Sequence, residues 1–196
     1  MIKDFVLKNR SYRRYVESAG INSDILISLI ELARFCPSAA NLQPLKYLIC
    51  NVAEKNSLIF KALSWAGYLT EWKGPPEGER PSAYIIVLGD TSISKNFQCD
   101  AGIACQTILL GAVAQGLGGC ILGAIDRESL RRSFSIPEQY EILYVIAIGK
   151  PLETVFVEDI KKDGGIRYWR DQNGGHHVPK RSIQELILIK ELCTTH

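Results

Sequence analysis

Arginines near the start of the chain have the type and spacing of an anion site. In the run Asn9–Tyr15 (NRSYRRY), the Ser11 hydroxyl lies between Arg10 and Arg13. Guanidinium groups donate hydrogen bonds in a fork that matches phosphate oxygens, and the hydroxyl adds another donor. A short basic run is also typical of a solvated surface, so alone it predicts only a candidate phosphate site.

A second candidate is the loop Pro37–Pro44 (PSAANLQP). Its two prolines restrict the backbone, and Ser38, Asn41 and Gln43 supply a hydroxyl and two amides. Such a loop can present hydrogen-bond partners to a flat heterocycle. The alternative is a turn that ends a helix, with Asn41 bonded to its own backbone.

A third candidate is the glycine-rich run Gly116–Gly123 (GLGGCILG). It is not a dinucleotide fingerprint, because Ile121 holds the third glycine position and because a helix precedes the run and a strand follows it. Gly116 is typical of a helix stop. The remaining glycines would allow a backbone to pass close to a ligand.

A basic pair, Lys180 and Arg181, follows Pro179 near the end of the chain. Adjacent His176 and His177 would point to opposite sides of an extended chain, which makes a poor metal site and favours a solvated loop. The six cysteines form no Cys-x-x-Cys pair and no zinc spacing. We therefore predict no metal site and reduced thiols in a cytoplasmic protein.

Hydrophobic periodicity and capping residues predict the elements that position these segments. Helices and strands alternate, and four short strands predict an α+β sandwich of one sheet with helices around it. The first predicted helix is capped by Asn22 or Ser23 and runs to about Phe35. The other predicted helices are Glu54–Ser64, Phe97–Gln115 and Arg127–Phe134, the last of which is capped by Asp126. The predicted strands are Leu45–Val52, Ala83–Gly89, Cys120–Ala124 and Tyr140–Gly149.

The 25 residues Ala101–Ile125 carry no charge, which is long enough to cross a bilayer. Glycines after Gln115 interrupt this run, and Asp100 and Asp126 bound it without a basic flank. A buried helix followed by a buried strand fits better. Because the helix is apolar nearly all round, a subunit interface would help to cover it.

The composition changes after Pro151. Val155–Pro179 is polar and shows no core pattern, and a helix at Ser182–Leu192 follows. We expect a single domain, 1–196, whose extension 155–196 wraps a partner chain.

The bulk composition excludes several classes of protein. A net charge of +2 over 196 residues gives no strong field for nucleic acid or for an acidic membrane surface. The segment Met1–Lys8 lacks the apolar region of a signal peptide, which again predicts a cytoplasmic location.

The order of the motifs is more specific than any one of them. Four motifs follow one another from Arg10 to Arg181. They are R-S-x-R, P-S-x-x-N-x-Q-P, a D-x-G-x-x-x-Q helix (Asp100, Gly102 and Gln106) that ends in G-L-G, and P-K-R. This arrangement resembles the FMN-binding nitroreductase family over nearly the whole chain.

The resemblance implies a nitroreductase-like α+β sandwich with a central, mainly antiparallel sheet, in a homodimer with FMN at the interface. It also implies cofactor-binding residues in four groups. Arg10, Ser11 and Arg13 would hold the phosphate, the ribityl chain and the N1–O2 edge of the ring, and Lys180 and Arg181 would close over the phosphate. The loop that would contact the ring from the opposite subunit contains Pro37, Ser38, Asn41 and Gln43. The strand beneath the ring would contain Ile121, Leu122 and Gly123, with the Leu122 N–H facing N5.

The resemblance further implies hydride transfer from NAD(P)H through flavin N5 to a small nitro- or quinone-like acceptor, in a ping-pong reaction. No catalytic side chain is expected beyond FMN, which Arg13 and the Leu122 backbone would tune. Two alternatives are a flavin-binding sensor without turnover and a dehalogenating or flavin-fragmenting enzyme of the same fold. Asn9 replaces a phosphate arginine of many relatives, and the ring contact expected ahead of Ala83–Gly89 has no clear counterpart in 65–80.

Overall fold

The computed structural model describes residues 2–160 and 164–188. The chain divides into two compact units, Met1–Leu152 and Glu153–His196. In the first unit the elements are α1 (Ile2–Lys8), α2 (Ser23–Arg34), β1 (Leu45–Cys50), α3 (Ala53–Lys61), β2 (Ala83–Asp90), α4 (Gln98–Ala114), β3 (Gly118–Leu122), α5 (Arg127–Phe134) and β4 (Tyr140–Gly149).

The four strands of this unit form one antiparallel sheet in the order β1-β2-β4-β3. β1 and β3 are therefore the two opposite edges. β3 pairs with β4 from Gly118, opposite Gly149, to Leu122, opposite Val145. The predicted antiparallel sheet flanked by helices is confirmed.

Side chains along each strand alternate between the two faces of the sheet, so both faces carry hydrophobic residues. Helices cover both faces. On β2, Ile85 and Val87 pack into the cluster formed with α2 and α4. Ile86 points to the other face, where it packs with Ile59 of α3 and Leu130 of α5. Burying side chains of this size contributes about 1.5–3 kcal/mol each.

Capping residues determine several helix ends, as the sequence predicts. The Asn22 side chain accepts a hydrogen bond from the Asp24 N–H at 3.1 Å, and the Asp126 carboxylate accepts one from the Ser129 N–H at 3.0 Å. Gly116 adopts φ +73° just after α4. The prediction of a helix stop at Gly116 is confirmed.

β3 begins two residues earlier than predicted, at Gly118 instead of Cys120. A Cβ on Gly118 would overlap the Tyr12 ring, and a Cβ on Gly119 would lie 2.5 Å from the Ala147 carbonyl oxygen. These two glycines therefore make room for the protein's own atoms. The interpretation that they admit a ligand is wrong for Gly118 and Gly119.

The second unit contains a sheet that the sequence analysis did not predict. Its elements are β5 (Val155–Asp159), β6 (Trp169–Arg170), β7 (His176–Lys180) and α6 (Ile183–Leu186). The strand order is β5-β7-β6, with β5 parallel and β6 antiparallel to β7. The expectation of a single sheet is wrong.

Polar and aromatic contacts hold this small sheet together. Arg170 donates a hydrogen bond at 2.9 Å to Glu153, whose side chain is fully buried. His176 is buried, and the His177 ring stacks on Trp169 with centroids 4.1 Å apart. The expectation of a solvated loop around the two histidines is therefore wrong.

The final helix is shorter than predicted, because α6 ends at Leu186 and Ile187 is extended. α6 spans four residues, and its Ser182–Glu185 capping box agrees with the predicted start at Ser182. Residues 189–192 of the predicted helix, and Cys193, lie outside the described residues.

Among the described residues, no helix combines the length and the apolar character that a membrane-spanning segment requires.

Candidate functional site

Helix α4 anchors two of the segments that the sequence analysis singled out. Asp100, in its first turn, binds the loop Pro37–Pro44, and Gln106 binds Asn9, just ahead of the arginines. Six residues separate the anchors, so they lie about 9 Å apart along the helix axis. The D-x-G-x-x-x-Q pattern thus has a structural meaning in this chain.

The loop is held by a carboxylate. The Ser38 hydroxyl donates to Asp100 Oδ2 at 2.5 Å, and the Ala39 N–H donates to Asp100 Oδ1 at 3.2 Å. The Ser38 Oγ also accepts from the Gln43 N–H at 2.9 Å. Ser38 therefore shapes the loop, and its hydroxyl proton already has an acceptor inside the protein.

Asn41 differs from its neighbours in the loop. Its side chain is exposed and makes no hydrogen bond to a described residue, whereas its backbone carbonyl accepts from Gln43 Nε2 at 3.1 Å. Asn41 has φ +55°, and Ala40 and Gln43 are also left-handed. Asparagine adopts this conformation more readily than most residues. The alternative that the Asn41 side chain bonds its own backbone is therefore wrong.

The N-terminal segment runs along the open edge of β3. Ser11 forms a parallel bridge with Gly119, and the Tyr12 N–H donates to the Gly119 carbonyl at 3.1 Å. Asn9 is buried and its Nδ2 donates to Gln106 Oε1 at 3.2 Å. Asn9 therefore fixes the segment to α4.

The arginines of the segment separate into two kinds. Arg14 forms a bidentate ion pair with Glu79, at 2.5 and 2.7 Å, which is a structural role. Arg10 donates from Nη2 to the Val6 carbonyl at 2.7 Å, and its buried Nε has no partner among the described residues. Arg13 donates from Nη1 to the Ser11 carbonyl at 3.2 Å.

β3 leaves its outer edge open beyond Gly119. The Gly119 carbonyl faces the N-terminal segment, and backbone groups alternate in direction along a strand. Those of Ile121 therefore point to the open edge, and those of Leu122 point toward β4. The Leu122 N–H could therefore face a ligand only if the backbone turned at the end of the strand.

A cavity of about 290 Å³ lies beside Gly123, directly after β3. Tyr144 and Arg127 line it, and Arg127 Nε donates to the Ile142 carbonyl at 2.8 Å. The sequence analysis missed both residues. Asp126 marks the start of α5 and so places Arg127, but no local pattern shows that its guanidinium returns to β4.

Lys180 and Arg181 lie in the second unit. Lys180 is the last residue of β7 and is exposed, and Arg181 Nη1 lies 3.5 Å from Glu185 Oε1. Their predicted approach to the FMN phosphate stays a prediction.

No group of three or more metal-ligating side chains occurs within residues 2–160 and 164–188. Five cysteines there are free, and three of them are buried. Burial raises the pKa of the Cys105 thiol to about 12, so this group stays protonated and weakly nucleophilic.

The sequence profile of the nitroreductase family matches residues 6–150. The chain belongs to the nitroreductase family. The match runs from the end of α1 to the end of β4 and contains the arginine segment, the loop Pro37–Pro44 and β3.

Curated relatives agree with this assignment. A protein of Archaeoglobus fulgidus, provisionally named NADH dehydrogenase/NAD(P)H nitroreductase, is 28% identical over an alignment of 154 residues, with 74% of this chain and 83% of that protein covered. YodC of Bacillus subtilis, provisionally named an NAD(P)H nitroreductase, is 27% identical over 179 residues, with 76% of this chain and 89% of that protein covered. By family, the chain is an oxidoreductase.

The fold is also that of solved nitroreductases. An FMN-dependent nitroreductase from Clostridium difficile R20291 superposes with a TM-score of 0.66 at 20% identity, and the match covers 98% of this chain and 100% of that chain. This likeness supports the α+β nitroreductase fold.

Proposed function

We propose that this protein is an NAD(P)H-dependent FMN oxidoreductase that acts on small nitro- or quinone-like aromatic acceptors by a ping-pong reaction. One observation supports this most strongly: the segment that carries Arg10, Ser11 and Arg13 is joined to the edge strand β3 by the bridge between Ser11 and Gly119. A phosphate and a flat ring attached to it can be bound along such an edge.

The residues present fit FMN. The buried Arg10 Nε lacks a partner among the described residues, and an unpaired buried donor is costly unless a ligand or water binds it. A phosphate oxygen would satisfy it, with the Ser11 hydroxyl beside it. Leu122 and Gly123, at the end of β3, would lie under the ring.

When bound, FMN would supply the N5 atom that accepts hydride from NAD(P)H and returns it to an acceptor. Arg13 would place a cation at the N1–O2 edge, where negative charge develops on reduction, and would so favour the reduced state. Lys180 and Arg181 would close over the phosphate. None of these roles requires a nucleophile or a metal.

We also propose that the protein is a homodimer in which the loop Pro37–Pro44 reaches the flavin of the partner subunit. In a single chain, α4 exposes Gly102 and Ile103, and Leu110 and Val113 are only partly buried. This apolar stripe belongs to a helix whose other face is buried in the core. A second subunit would cover the stripe and place each Asn41 at the interface.

The direct test of the activity is anaerobic reduction. The protein is purified, supplemented with FMN, freed of unbound flavin and mixed with NADH or NADPH. We expect the flavin absorbance to disappear rapidly and to return after addition of an aromatic nitro compound or a quinone. The same FMN concentration without protein is the control, since free flavin is reduced slowly by either nucleotide.

Two results would overturn the proposal in different ways. Flavin that stays bound but is not reduced by either nucleotide would indicate a binding or sensing protein. A chain that retains no FMN after reconstitution would remove the cofactor assignment itself.

A further inference from the structure

A second cavity, of about 400 Å³, lies beside β1, which is the edge strand opposite to β3 in the sheet. It is formed where β1 ends and β2 begins, under α3 and beside the turn that follows Tyr15. Its volume is within the range of small-molecule sites. Because β1 and β3 are opposite edges of the sheet, this cavity is separate from the proposed flavin site.

Three of the side chains that line this cavity have a buried polar atom without a partner in the described part of the chain. These atoms are the Tyr84 hydroxyl, Arg80 Nε and Asn56 Oδ1. Tyr84 is fully buried. Each group left unsatisfied would cost about 1–3 kcal/mol, so three of them beside one cavity indicate that water or a ligand binds there.

The orientations of two of these groups are fixed. Asn56 Nδ2 donates to the Ser82 carbonyl at 2.9 Å, which leaves Oδ1 as an acceptor. The Arg80 guanidinium lies over the Phe60 ring, 4.5 Å from its centroid, and pairs with no carboxylate in the described residues. The cavity therefore offers a ligand two groups in fixed positions, a cationic hydrogen-bond donor from Arg80 and an amide-oxygen acceptor from Asn56.

Charges in the cavity lining favour a ligand with both signs. Glu17 and Glu77 line the cavity together with Arg80. Glu17 Oε2 accepts from the Gly78 N–H at 2.5 Å and from the Arg80 N–H at 3.3 Å, which holds this carboxylate in place. Burial raises the pKa of Tyr84, so its hydroxyl is a donor at neutral pH. A purely anionic ligand would be repelled by the two glutamates.

We propose that this cavity binds a small zwitterion of the amino-acid class. Its carboxylate would accept from Arg80 Nε and the Tyr84 hydroxyl, and its ammonium would donate to Asn56 Oδ1 and to Glu17. Phe60, Ala53 and Pro81 offer apolar surface to a short side chain.

Binding is tested on the full chain with L-leucine as the probe. The two comparison compounds are 4-methylpentanoate, which lacks the ammonium, and L-leucinamide, which lacks the carboxylate. Calorimetry measures affinity, and the Arg80 Nε–H resonance reports the site by nuclear magnetic resonance. We expect L-leucine to shift that resonance saturably and both analogues to bind about tenfold more weakly or worse, the loss of one charged hydrogen-bonded contact.

The variant Tyr84→Phe removes one hydroxyl at nearly constant volume. We expect L-leucine affinity to fall about tenfold, whereas Tyr140→Phe, in a partly buried tyrosine that does not line the cavity, leaves it unchanged. Denaturant unfolding checks that both variants fold. The proposal is overturned by the absence of a saturable Arg80 shift, by equal affinity for all three compounds, or by unchanged affinity in Tyr84→Phe.

Discussion

Arg13 and Arg14 show how adjacent residues of one type take different roles. Arg14 is committed to Glu79 through a bidentate pair, and so belongs to the fold. Arg13 donates to the Ser11 carbonyl beside the open edge of β3. The spacing R-S-x-R makes Arg10 and Arg13 the candidates for ligand binding, although the sequence alone does not show that Arg14 pairs with Glu79.

The first prediction concerns Arg13→Ala. Loss of a charged hydrogen-bond donor at the flavin should weaken FMN binding about tenfold or more and slow reduction of the flavin that remains. Flavin fluorescence titration and stopped-flow reduction measure the two effects. The matched control is Arg132→Ala, an exposed arginine of α5. Unchanged affinity and unchanged reduction rate would remove Arg13 from the site.

The second prediction concerns Asn41, whose side chain contacts no described hydrogen-bond partner although its backbone is left-handed. The change to glycine removes the carboxamide and keeps positive φ accessible, so the free energy of unfolding should hardly change. We expect a shifted visible spectrum of the bound flavin and weaker binding. A spectrum and an affinity identical to those of the unaltered protein would count against contact with the ring.

Among the elements, α4 has the central role, because its two polar anchors fix both segments of the proposed site. Our third prediction is that Ser38→Ala lowers the free energy of unfolding by about 1–3 kcal/mol, since it removes a hydrogen bond to the part-buried Asp100 carboxylate. Denaturant unfolding measures this change. Ser57→Ala is the control, because Ser57 bonds only a helix carbonyl at an exposed position. An effect no larger than in the control would contradict the anchoring role.

The fourth prediction concerns β7, where His177 stacks on Trp169 and Phe156 and its two ring nitrogens face Asp171 and Glu158 at 3.1 and 3.2 Å. The hydrogen bond to Asp171, with Glu158 adding to it, raises the pKa of His177. The resulting stabilisation is fully present below the unfolded pKa, about 6.5, and is lost as the pH rises through the folded pKa. The pKa of Asp171 is lowered, first by His177, so the pairing is also lost in acid.

Ring resonances of His177 and amide exchange in β7, followed between pH 5 and 9, test this pH dependence. We expect a pKa above the ordinary histidine value and faster exchange on the alkaline side. His177→Phe, which retains a stacking ring, should abolish the alkaline change. A pKa at or below the ordinary value would contradict the arrangement.

Elements specified by local signals could be predicted closely. β4 and α5 have their predicted bounds, because hydrophobic residues define the strand and Asp126 caps the helix. The second sheet could not be predicted, because it depends on contacts between distant residues, such as Arg170 with Glu153. The same limit applies to the anchoring of Ser38 by Asp100, a contact across 62 residues.

In the complete chain, the proposed phosphate ligands come from both ends of the sequence. Arg10, Ser11 and Arg13 belong to the first unit, and Lys180 and Arg181 belong to the second. We propose that Arg10, Lys180 and Arg181 bind one FMN phosphate, that Arg13 lies at the N1–O2 edge of the ring, and that the end of β3 supports the ring. The phosphate should then contribute much of the binding energy, since charged hydrogen bonds to it are the strongest polar contacts proposed.

The most direct test compares the affinity of FMN with that of riboflavin, which lacks only the phosphate, in the unaltered protein and in the double variant Lys180→Ala/Arg181→Ala. The account predicts that FMN binds at least about a hundredfold more tightly than riboflavin, and that the double variant loses most of this difference while riboflavin affinity is kept. Equal affinity for the two flavins, or an undiminished difference in the double variant, would contradict it.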